Sequence, residues 1–152
     1  MKKIICALSL ISFMNVLSAQ DNKTTYDEKL AKELGADEHG MKTYVFCILK
    51  TGTNTTATKE EKTKYMEGHM ANINRLADEG KLVVAGPFMK NDRNYRGIYI
   101  FNCATVEEAQ KLAETDPAVK AKIFEVELTP WYCSAALMEV PEIHEKIAKN
   151  KF

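Results

Sequence analysis

His69, in HMANINRLADEGKL, and Asp116, in AETDPAV, are the side chains of this sequence best suited to moving a proton. An imidazole gains and loses charge near neutral pH. A carboxylate that accepts one imidazole N–H fixes the tautomer, favours the protonated ring and leaves the other nitrogen free for proton transfer. Each residue also has a simpler reading. A lone His on the flank of an apolar helix stripe suits a hydrogen-bonded boundary position. Asp before Pro117 suits a helix cap and turn. Asp78 is the rival carboxylate, but it follows His69 by nine residues on the same expected helix and points elsewhere. Gly86-Pro87 ends a strand, where glycine allows close approach and proline stops the hydrogen-bond ladder. Trp131, at the end of another strand, is a packing anchor that could also wall an aromatic pocket.

Other chemistries find little support. His39 and His144 lie on the flanking tails, and no H-x-x-x-H or H-x-x-E-H spacing exists, so no dedicated metal site is expected. Ser134 and Cys133 lack a G-x-S-x-G frame, and no glycine-rich phosphate loop is present. No cofactor is expected. Cys47, Cys103 and Cys133 contain no C-x-x-C, and their odd number leaves at least one thiol over. Cysteines on strands act first as small buried hydrophobes. The spacing does not say whether any two of them pair.

The elements that must position these residues are legible. TYVFCILK, Thr43 to Lys50, is a strand signal rich in β-branched and aromatic residues, followed by a loop from Thr51 to Ala57. Thr58 and Glu61 form a capping box that opens a helix. Met66, Met70, Ile73 and Ala77 give that helix an apolar stripe, and His69 lies on its flank with Tyr65 and Leu76. Gly80 supplies the stop. KLVVAGPF and GIYIFNC are the second and third strands, joined by a hairpin loop from Lys90 to Arg96. Thr105 and Glu108 repeat the capping signal for a second helix to about Thr115, and Asp116-Pro117 interrupts it. Asp116 can then cap a short helix with Pro117 at its first position. The fourth strand spans Ile123 to Tyr132. A short helix is expected near Tyr26, Leu30 and Leu34, and another from Glu142 to Lys149.

The order β-α-β-β-α-β is that of an α+β, ferredoxin-like unit: a four-stranded antiparallel sheet with helices on one face. The first and third strands should be central. Both alternating sets of the first strand are apolar, Tyr44, Phe46 and Ile48 against Val45, Cys47 and Leu49, so neither face wants water. A homodimer packed through the open face is the simplest solution.

The start of the chain, Lys2-Lys3, an apolar run from Ile4 to Leu17, then Ser18-Ala19, reads as a secretory signal peptide cut after Ala19. The run is too short to span a bilayer. Export to periplasm or medium is therefore expected, with no membrane association after cleavage. Basic and acidic residues both number 21, and two lysines leave with the signal, so the mature chain is slightly acidic. No basic stripe is left to attract nucleic acid.

The ordered set of helix-borne His69, "GKL…AGP", "T-x-EEA" and "DP" resembles the YCII-related family of small α+β proteins over roughly Lys42 to Trp131. The resemblance implies a dimeric α+β barrel, His69 as candidate active-site residue, Asp116 as its partner and Gly86-Pro87 lining the cleft. The chain then divides into a signal peptide (1–19), a polar N-terminal tail with a short helix (20–42), a YCII-like domain (43–132) and a C-terminal extension with a short helix (133–152). Together these point to a cofactor-free exported enzyme. It would use His69, oriented by Asp116, on a small organic, cyclic or aromatic substrate, by isomerisation, lyase-type elimination or dehalogenation. The alternative is a non-catalytic small-molecule-binding module in which His69 only donates a hydrogen bond. The two extensions exceed the family's shorter members and could narrow the cleft.

Overall fold

The computed structural model describes residues 25–150; the expected signal peptide lies outside them. Strands β1 (Met41–Thr51), β2 (Leu82–Pro87), β3 (Tyr95–Phe101) and β4 (Phe124–Ser134) form one antiparallel sheet in the order β2-β3-β1-β4. The continuously apolar β1 and β3 are indeed central. Helices α2 (Lys59–Asp78), α3 (Val106–Ala113) and α4 (Pro117–Lys120) cover one face, which makes the fold ferredoxin-like.

The helix starts are chemical. Thr58 accepts from Glu61 N and Glu61 reaches back to Thr58 N, a complete capping box on α2. Thr105 caps α3 by accepting from Glu108 N, while the Glu108 carboxylate pairs instead with Lys81. α3 ends at Ala113, shortly before Asp116 caps α4. Gly80 adopts a left-handed φ of 66° just past α2, a backbone state glycine reaches without penalty.

The helix-facing core holds Val45, Cys47 and Leu49 of β1, Tyr99 and Phe101 of β3, Leu76 of α2, and Ala109 and Ala113 of α3. The alanines keep α3 close to the sheet. One expectation is corrected here. The line of α2 that faces inward carries His69, Asn72 and Leu76, whereas Met66 is exposed and Met70 only half-buried. The reason is the neighbour on the other flank: Pro117 of α4 packs against Gly68, so α2 turns its His69 line, rather than its methionines, to the sheet.

The opposite face is partly covered by the chain itself. A 3-10 turn (Ala135–Glu139) and helix α5 (Val140–Ile147) follow β4, and Leu137 and Met138 pack on Tyr44, Val83 and Ile100. The short N-terminal helix α1 (Glu28–Leu34), capped by Asp27 and closed by Gly35, contacts the 3-10 turn. The C-terminal extension therefore lies across the sheet from the helices and does not narrow a cleft on the helix face. Among the described residues no helix is long and apolar enough to cross a membrane.

Candidate functional site

His69 enters from the middle of α2 and Asp116 from the cap of α4, and the two meet above the central strands. The imidazole Nδ1 is 2.6 Å from Asp116 Oδ2. Asp116 is fully buried and His69 is 7% exposed, so the contact is shielded from water. Shielding strengthens the attraction, the desolvation of both groups offsets much of that gain, and removing one partner is costly because it strands a buried polar group. The other carboxylate oxygen, Oδ1, accepts from Ala118 N at 2.8 Å. Asp116 is thus both a helix cap and the His69 partner; the two readings of the sequence are not exclusive.

A third side chain joins them, one that sequence reasoning passed over. The Tyr99 hydroxyl donates to Asp116 Oδ2 at 3.0 Å and stands 3.1 Å from His69 Nδ1. Tyr99 is 1% exposed, and burial followed by the Asp116 charge pushes its phenol well above the usual range. It is a neutral donor. Cys47, opposite Tyr99 in the β1–β3 register, is buried too, and burial with the Asp116 charge pushes its thiol up to about 12. A thiol so protonated is a poor nucleophile. The His69 ring rests 5.1 Å from the Phe124 ring, centroid to centroid.

Close backbone approach makes the arrangement possible. A Cβ on Gly68 would lie 2.8 Å from Pro117 Cγ, so only glycine lets α4 bring Asp116 against α2. The signal was present in the sequence as a glycine inside a helix, which costs roughly 1 kcal/mol against alanine and so calls for a packing reason. Beside the pair, buried Asn72 accepts from Arg75 (2.9 Å) and Thr115 (2.9 Å), tying α2 to the end of α3. Its Nδ2 is buried without a partner.

The other expected site residues fall differently. Ala85 pairs with Tyr99, Gly86 with Ile98 and Pro87 with Gly97, so Gly86 lies one register step and Pro87 two along β2 from the level of Tyr99. Trp131 pairs with Tyr44 and makes ring contacts with Tyr44 and Phe46. Those residues line the face covered by the C-terminal extension. Trp131 therefore stands across the sheet from His69 and Asp116 and does not wall their space within one chain. Asp78, the rival carboxylate, is exposed near the end of α2. No group of three or more His, Cys, Asp or Glu side chains is placed to hold a metal ion among the described residues.

A ferredoxin-like sheet with a buried His–Asp pair under its helices defines a small α+β protein in which an imidazole and a carboxylate meet. The sequence model of the YCII-related domain family matches residues 44–132, and the chain belongs to that family. It is 36% identical over 73 residues to "Protein YciI" of Escherichia coli O6:H1, across 43% of this chain and 74% of that protein. The same figures hold for "Protein YciI" of Shigella flexneri. Among solved structures it is similar to the 5-chloro-2-hydroxyhydroquinone dehydrochlorinase of Burkholderia phenoliruptrix AC1100, in complex with 2,5-dihydroxybenzoquinone. That likeness has 21% identity and a TM-score of 0.41, over 57% of this chain and 92% of that one.

Proposed function

We propose that the protein is a cofactor-independent enzyme whose His69–Asp116 pair performs acid/base chemistry on a small organic, cyclic or aromatic, substrate. The observation that carries this reading is the 2.6 Å contact between Nδ1 and a buried carboxylate oxygen. With Nδ1 committed as donor, Nε2 is the nitrogen that takes a proton from substrate carbon or oxygen and returns it to the same molecule or to a leaving group. Isomerisation, lyase-type elimination and dehalogenation by loss of H–X can each run on that step. In the loss of H–X, Nε2 takes the C–H proton, the C–H electrons form a C=C bond and the halide leaves with the C–X electrons. The test is exchange of substrate C–H for deuterium in D2O, followed by proton NMR over a panel of small cyclic and aromatic compounds. Exchange with the parent and none with His69→Ala supports the reading. Binding by thermal shift with no exchange from any bound compound replaces it with a non-catalytic binding module, which the near-complete burial of His69 favours.

Two features of the working protein are part of the proposal. The first is a homodimer through the strip of sheet that the C-terminal extension leaves open. Phe46, Ile48 and Ile98 are half-buried there and Trp131 is exposed. A monomer in light scattering at micromolar concentration refutes it. The second is export, with a mature N-terminus at Gln20 read by mass spectrometry from the native host. Intact cytoplasmic protein beginning at Met1 refutes that.

A further inference from the structure

We propose that Tyr99 is a positioning residue of this site. By donating to the same Asp116 oxygen that accepts from His69, it sets how firmly the carboxylate holds the imidazole and hence where Nε2 exchanges its proton.

The argument is one of shared lone pairs. Asp116 Oδ2 faces two donors, His69 Nδ1 at 2.6 Å and the Tyr99 hydroxyl at 3.0 Å, and Oδ1 faces Ala118 N at 2.8 Å. The carboxylate is fully buried, so no bulk water supplies the donors that its charge requires. Three protein donors replace them. The triangle closes at 3.1 Å between the Tyr99 oxygen and Nδ1. With the phenol hydrogen aimed at Oδ2, both neighbours of Nδ1 present lone pairs to it. A bare Nδ1 there would oppose an anionic oxygen at 2.6 Å. Nδ1 therefore carries the hydrogen, and Nε2 the lone pair, when the ring is neutral.

Each donor on an oxygen withdraws charge from it. Tyr99 thus weakens the hold of Oδ2 on the imidazolium relative to the same site without the hydroxyl. The groups around the ring are few. Asp116 faces it from the cap of α4 and Tyr99 from β3, with Cys47 of β1 beside them. From β4 comes the apolar ring of Phe124. On α2 itself, Tyr65 precedes His69 by one turn and uncharged Asn72 follows it. No charged group besides Asp116 contacts His69 in this set, so a change at Tyr99 is read out at His69 with little competition.

This inference rests on the His69–Asp116 pair as the site but needs no substrate. The experiment is a pH titration of the ring nitrogens by 15N NMR in the full chain, with exposed His39 and His144 as internal references. The parent should show hydrogen on Nδ1 of neutral His69. In Tyr99→Phe the midpoint should move up by about 0.5 to 1 pH unit, the scale of one weakened charge-assisted hydrogen bond. Site-specific 3-fluorotyrosine at position 99, a stronger donor, should move it down. The references should not move. A His69 curve unchanged in Tyr99→Phe, or hydrogen on Nε2 in the parent, overturns the proposal. If Tyr99→Phe fails to fold, the fluorotyrosine protein decides alone, and an unmoved curve there overturns it as well. A failed substrate screen would remove the acid/base function and leave the titration result standing. An unmoved titration would remove Tyr99 and leave the enzyme reading intact.

Discussion

Gly68 and Pro117 are in such close contact that a Cβ on the glycine would sit 2.8 Å from the proline Cγ, and this contact seats Asp116 beside His69. Gly68→Ala gains roughly 1 kcal/mol of helix propensity. It must also push α4 away, and overpacking typically costs about 1–3 kcal/mol. The expected net is a lower melting temperature together with a disturbed His69 ring environment. Thermal melts and the His69 NMR signals measure both. A more stable protein with unchanged His69 signals would show that α4 yields freely and that the glycine does not seat the pair.

Removing either partner of the pair should have distinct effects. His69→Ala should abolish turnover and keep the fold, although it leaves a buried carboxylate short of one donor. Asp116→Asn retains an oxygen that can cap α4 through Ala118 N. Its other side would then be the amide nitrogen, which presents N–H donors to Nδ1 in place of an acceptor. Turnover should fall by on the order of 10² to 10⁴, through lost charge and lost tautomer control. Circular dichroism and a urea titration check the fold, and single-turnover kinetics check the chemistry. If Asp116→Asn costs stability and leaves turnover intact, Asp116 is a cap and no more.

Much of this was legible in the sequence. The central placing of β1 and β3 followed from which runs were apolar throughout. His69 and Asp116 were singled out as a pair by the resemblance to the YCII-related pattern, since their residue types alone also suited a boundary histidine and a helix cap. Tyr99 did not stand out, because in GIYIFNC it is one more aromatic residue on a strand. Its role exists only through the β1–β3 register and the height of α4 above it, which depend on tertiary packing. The methionine stripe of α2 misled for a related reason. Periodicity marks an apolar face, but the approach of Pro117 at Gly68 decides which line of the helix meets the sheet. Nor could composition tell that SAALMEV would fold back over Tyr44 and Ile100.

Alkaline pH should weaken the fold. Cys47 is held protonated by burial and by Asp116, rising from 9.0 to about 12, and Tyr99 shifts upward from 10.0 for the same causes. Both groups are acids whose neutral form the native state favours. Below pH 9 they are protonated in both states and cost nothing. As pH climbs from 9 towards 12, the unfolded chain sheds protons that the native chain keeps, so stability falls. The slope is at most about 1.4 kcal/mol per pH unit for each group. Urea midpoints measured across that range should decline in the parent and decline less in Cys47→Ala. Parallel curves for the two proteins would mean that Cys47 does not titrate with unfolding.

The C-terminal extension should behave as part of the core rather than as a tail. Leu137 and Met138 pack against Tyr44, Val83 and Ile100, and Ala135 is buried. The Tyr44 hydroxyl donates to Ser134 O at 3.2 Å, which ties the end of β4 to the same cluster. A stop codon after Ser134 would bare that cluster and remove two large apolar side chains from it. Each is worth about 1.5–3 kcal/mol when fully buried, so a loss of a few kcal/mol is expected, a large share of a small domain's stability. The truncated chain should unfold at lower urea, bind ANS and aggregate on warming. The His69–Asp116 pair lies across the sheet from the removed segment, so its NMR signals should persist wherever the truncated chain remains folded. Truncated protein with unchanged urea midpoint and no ANS binding would show that the extension adds nothing to the core. Loss of the His69 signals in protein that is still folded would show instead that the extension governs the site through the sheet.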